Sequence, residues 1–64
     1  EELDAARTFR EALKIDPEDP EIYFALGKSY YKLNKNKKVK ETLDILNMLD
    51  RTMYNQLRSE ISGR

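Results

Sequence analysis

Sixty-four residues can form one small domain, and a chain of that length buries only about 60% of the surface it exposes when unfolded, so marginal stability is expected. Cysteine and histidine are both absent, which excludes disulfides, thiolate or imidazole metal sites and any nucleophile paired with a histidine base. Net charge is zero from 12 basic and 12 acidic side chains, but residues 1–21 carry eight acids against three bases, residues 22–40 six lysines and no acid, and residues 41–64 four acids against three bases.

The chain opens on Glu1 with a helical pattern already under way, which predicts a piece of a longer protein. A first helix is expected over about Glu2–Ile15. Leu3, Ala5, Ala6, Phe9, Ala12 and Leu13 supply its apolar face, and Arg7, Arg10, Glu11 and Lys14 its outer one. Acids at Glu1, Glu2 and Asp4 and the base Lys14 suit the two ends of the helix dipole. Pro17 ends this helix, because it disfavours helical geometry at Asp16 and offers no N–H. Asp16, Glu18, Asp19 and Glu21 crowd the turn, but their spacing and two prolines do not fit a calcium loop; they read as capping and solvating groups.

A second helix starts with Asp19 as cap and Pro20 at the first helical position. Tyr23, Leu26, Gly27, Tyr30 and Leu33 share one face, whereas Phe24, Lys28 and Tyr31 lie on a neighbouring one. A helix with bulk on two sides is sandwiched or lines a groove. Gly27 costs about 1 kcal/mol in a helix interior relative to Ala, so it is expected to admit a close neighbour, the third helix around Val39. Tyr23 and Tyr30 read as core residues whose hydroxyls reach solvent.

Asn34-Lys35-Asn36 breaks the pattern: Asn34 can take the left-handed conformation and Asn36 can cap the next helix. A third helix is expected over about Lys37–Leu49, with Val39, Leu43, Leu46 and Leu49 inward and Ile45 at the flank. Met53, Leu57 and Ile61 recur every four residues and predict a last helix that frays through Ser62-Gly63-Arg64. Two readings of the junction stand: a turn at Asp50–Thr52, which is preferred, or one continuous helix carrying Val39, Leu43, Leu46, Met53 and Leu57 along a seam. With the turn, Met53, Leu57 and Ile61 fold back over Leu43, Leu46 and the second helix.

The pattern resembles the tetratricopeptide repeat. Tyr23, Leu26-Gly27 and Tyr30 match the first-helix half of its signature, and Ala5, Phe9, Ala12 and Pro17 the second-helix half. Val39, Leu43, Leu46 and Arg51 stand 34 residues after those four, which is the period of the family. The resemblance covers roughly residues 1–53. It implies an all-α, antiparallel helix-turn-helix stack of about four helices forming a single domain over 1–64: residues 1–15 the second helix of a preceding repeat, 20–50 one full repeat, 51–62 a C-terminal capping helix. Val39 and Leu46 are bulkier than the usual Ala, which suits the end of an array.

It also implies a non-enzymatic protein–protein or protein–peptide interaction module. On the concave face of the second helix it places Phe24, Lys28, Tyr31 and Lys32, with Lys35 beyond: aromatics for anchoring area, lysines for acidic or C-terminal carboxylate groups of a partner. Ala25 and Lys28 stand where the family's carboxylate-clamp type has Asn. The alternative is a structural end cap or oligomerisation segment, with the chain a monomer or a homodimer through its C-terminal helix. No cofactor is expected. Neither is a membrane, since no apolar run approaches the length of a span. Nucleic acid is disfavoured because Lys32, Lys35, Lys37, Lys38 and Lys40 form one basic cluster in a neutral chain, which Glu1, Glu2 and Asp4 are expected to neutralise.

Overall fold

The computed structural model describes residues 2–62, with side chains from residue 3. Four helices follow one another: α1 (Glu2–Ile15), α2 (Pro20–Lys32), α3 (Asn36–Leu49) and α4 (Arg51–Ser62). Among the described residues there is no strand. The all-α, helix-turn-helix expectation therefore holds.

Each connection has a local cause. After α1 the Asp16 N–H donates to the Ala12 carbonyl (3.1 Å), and Pro17 prevents a further turn. Asp19 takes an extended conformation and its carboxylate accepts from the Glu21 N–H at 2.9 Å, with Pro20 at the start of α2. The Tyr23 hydroxyl donates to the Pro17 carbonyl (2.9 Å) and ties this turn to the first turn of α2. At the other end Asn34 has φ 60°, the Lys35 N–H donates to the Tyr30 carbonyl (3.0 Å) and the Asn34 N–H to that of Tyr31 (3.0 Å). Those two bonds are the Schellman closure, and Asn is the side chain that tolerates it best after Gly.

The next two connections differ from one another. Asn36 does not cap α3: it is the first helical residue, and Lys35 occupies the cap position with no side-chain hydrogen bond. Between α3 and α4 a single residue suffices. Asp50 is extended (φ −156°, ψ 100°), donates its N–H to the Leu46 carbonyl (2.8 Å) and accepts from the Met53 N–H through its carboxylate (3.0 Å). One side chain thus ends α3 and starts α4, and the two are separate helices.

α2 is the centre of the packing. Among the described residues α1 packs on α2 alone, whereas α3 and α4 pack on α2 and on each other. Ala6, Leu26, Tyr30 and Val39 form the buried core of the first three helices, with Phe9, Leu13, Leu33 and Leu43 against it. Tyr30 is a core residue, 5% exposed, and Arg10 Nη1 donates to its hydroxyl oxygen at 3.4 Å. Leu46 and Leu57 are fully buried where α4 closes on the other two helices.

Two apolar positions depart from the expected faces. Leu3 is 53% exposed; among the described residues α1 packs on α2 and on no other helix. Ile45, expected at the inward flank of α3, is 40% exposed, and Met48, to which the sequence pattern assigns no face, is exposed as well. Gly27 does admit a close neighbour, but not α3 around Val39. A Cβ there would meet the Leu57 Cδ2 of α4 at 2.7 Å, and the Thr42 methyl of α3 at 3.4 Å. α4, folding back after Asp50, takes the space that the sequence alone assigns to α3.

Candidate functional site

Two surfaces flank α4. On one side lies the outer face of α2. Phe24 and Lys28 are one turn apart, and Lys28 Nζ stands 5.7 Å from the centre of the Phe24 ring. The same ammonium pairs with the Glu60 carboxylate of α4 at 3.4 Å, both side chains being about half exposed. Aromatic area and a cation already oriented by a carboxylate thus meet at the α2–α4 edge.

On the other side, α3 and α4 diverge into a groove of about 370 Å³. Tyr31, Val39 and Leu43 line it from α2 and α3, and Tyr54, Arg58 and Ile61 from α4. Lys40 and Asp44 stand on its rim, paired with each other at 3.8 Å, and Asn36 lies at its end. The Arg58 guanidinium lies 6.0 Å from the centre of the Tyr54 ring.

The five residues of interest in the sequence are therefore distributed. Phe24 and Lys28 are brought together. Tyr31 is half-buried, packs on the core and reaches the α3–α4 groove. Lys32 is exposed in the last turn of α2, and Lys35 is exposed beyond the Asn34 turn, at the start of α3. Asp4, expected to neutralise the lysine cluster, pairs with Arg7 at 3.9 Å; the other two acids of that expectation, Glu1 and Glu2, lie outside the described side chains, as Gly63 and Arg64 do.

Glu60, Tyr54 and Arg58 carry no weight in the sequence reading. The spacing Tyr54, Arg58, Ile61 is a second helical stripe beside Met53, Leu57, Ile61, and that signal was available. Among the described residues no group of acids is placed to hold a metal ion, and no helix is long and apolar enough to cross a membrane.

A family model for the TPR repeat, the tetratricopeptide repeat, matches residues 4–34. This stretch is similar to the tetratricopeptide repeat. It takes in α1, the Asp16–Asp19 turn and α2, and with them both halves of the signature from Ala5 to Tyr30. Comparison with curated proteins and with solved structures gives no match. Tetratricopeptide repeats are in general non-catalytic modules that bind other proteins or peptides. The four-helix stack, in which α2 packs on α1, α3 and α4, is compatible with that architecture.

Proposed function

We propose that this chain is a protein- or peptide-interaction module that takes its partner along the outer, concave face of α2, through Phe24, Lys28, Tyr31 and Lys32, with Lys35 extending the site. The observation that carries the reading is the Phe24–Lys28–Glu60 arrangement. Glu60 already supplies a carboxylate to an ammonium set over an aromatic ring, and an acidic side chain or terminal carboxylate of a partner would satisfy Lys28 in the same way. Phe24 would supply anchoring area and the lysines selectivity for acidic groups.

Fluorescence anisotropy with a panel of extended acidic peptides tests it. Phe24→Ala combined with Lys28→Gln should abolish binding and leave the thermal melt nearly unchanged, since neither side chain belongs to the buried core. Binding that survives in the double variant overturns the assignment.

A second reading is favoured by Leu57, which is fully buried where α4 meets Gly27. In that reading residues 1–15 close a preceding repeat, 20–50 form one whole repeat and 51–62 cap the stack, so that the chain is a structural end piece or oligomerisation segment of a larger protein. Sedimentation of the intact chain discriminates: a monomer that binds acidic peptides supports the module, and a stable dimer without peptide affinity supports the end piece.

A further inference from the structure

We propose that the groove between α3 and α4 is a second docking site, sharing only Tyr31 with the α2 face, and that it takes an amphipathic helix of a partner protein whose apolar residues are flanked by acids. The floor is apolar and aromatic: Val39, Leu43, Tyr54 and Ile61, with Tyr31 at one end. Leu43, Tyr54 and Ile61 are each only half-buried, so the groove keeps apolar area to offer. Two diverging helices receive a third by interdigitating side chains, which is how α2 and α3 receive α4 in this same molecule.

Charge selects the partner. On the rim, Lys40 and Arg58 face the opening and only Asp44 opposes them. Asp44 and Lys40 pair weakly across one helical turn, both well exposed, and such pairs exchange readily for an incoming carboxylate. Three more lysines stand near the Asn36 end, outside the lining of the groove. The first turn of α3 has no acid and no side-chain cap, and Lys35, Lys37 and Lys38 make no ion pair among the described residues. A partner helix therefore presents acids along both edges of its apolar stripe, with its most acidic end toward Asn36. A second copy of this chain fits less well, since its own α4 would bring Arg58 against Lys40 and Arg58.

The probe is a synthetic helical peptide with Leu and Phe at i, i+3 and i+7 and glutamates on either side, labelled for anisotropy and titrated against the intact chain. Arg58→Glu should weaken binding by about tenfold or more, and Lys40→Gln by a smaller factor, while Lys28→Gln on the α2 face leaves it unchanged. A peptide with lysines in place of the glutamates should not bind. Binding that is insensitive to both Arg58→Glu and Lys40→Gln overturns the proposal. So does a concentration-dependent dimer that Arg58→Glu abolishes, because it makes the occupant a second copy. Loss of binding in Lys28→Gln alone would assign the peptide to the α2 face and also overturn the second site; sensitivity at Arg58 alone would support it whatever becomes of the α2 reading.

Discussion

The Leu57 side chain occupies the space that a β-carbon on Gly27 would need, its Cδ2 lying 2.7 Å from that position. This contact sets the approach of α4 to α2. Leu57 is fully buried there, so it has little room to withdraw. Gly27→Leu should force α4 away and cost about 1–3 kcal/mol in urea unfolding. Gly27→Ala sets a helix-propensity gain of about 1 kcal/mol against displacement of Leu57, and its net effect should be small. The decisive measurement is the cycle with Leu57→Ala. The cost of Gly27→Leu should shrink in that background, whereas strictly additive effects would place the close contact elsewhere.

Asp50 carries the junction of α3 and α4. Asp50→Ala removes the bond that its carboxylate accepts from the Met53 N–H and should destabilise the chain by about 0.5–2 kcal/mol, with faster amide exchange at Met53. Asp50→Asn should keep most of the stability. Equal stability of Asp50→Ala and the parent would mean that the cap does not hold the turn.

At Asn34 the backbone lies in the left-handed region, where a β-branched residue is strained. Asn34→Gly should be neutral or slightly stabilising, and Asn34→Val should cost about 1–2 kcal/mol by thermal melting. A neutral Asn34→Val would show that the α2–α3 turn relaxes to another conformation.

What could be read from the sequence divides by the range of the interaction. Pro17, Asp19-Pro20, Asn34 and Asp50 act on their immediate neighbours, so the four helices and the stops between them follow from residue type and spacing. The Met53, Leu57, Ile61 stripe likewise shows that α4 has an inward face. With the turn at Asp50 the fold-back of that face over α2 and α3 is legible too; which residue meets Gly27 is a different matter. Gly27 announces a close approach without saying by what, and only the direction of the chain after Asp50 decides for Leu57 over Val39. Phe24 and Lys28 are legible as a pair because one helical turn joins them. Glu60 is not, because 32 residues separate it from Lys28 and only the fold-back of α4 brings it near. Tyr31 reads as part of the same stripe, yet it stands at the other side of α4, where the α3–α4 groove begins.

The Lys28–Glu60 pair is exposed, so it should contribute no more than about 1 kcal/mol and fade with salt. Its interest is competition. Glu60→Gln should leave the melt nearly unchanged and tighten the binding of acidic peptides on the α2 face, since Lys28 then has no internal carboxylate. Weaker binding in Glu60→Gln would make Glu60 part of the recognition surface instead of a competitor.

The most direct test of the α2 interaction surface is an amide chemical-shift map of the intact chain titrated with an extended acidic peptide. Shifts at Phe24, Lys28 and Lys32, with Glu60 responding as Lys28 changes partner, are the predicted result. A saturable titration whose shifts fall on α1 or on the exposed side of α3 around Ile45 and Met48, leaving Phe24 and Lys28 unmoved, would contradict it.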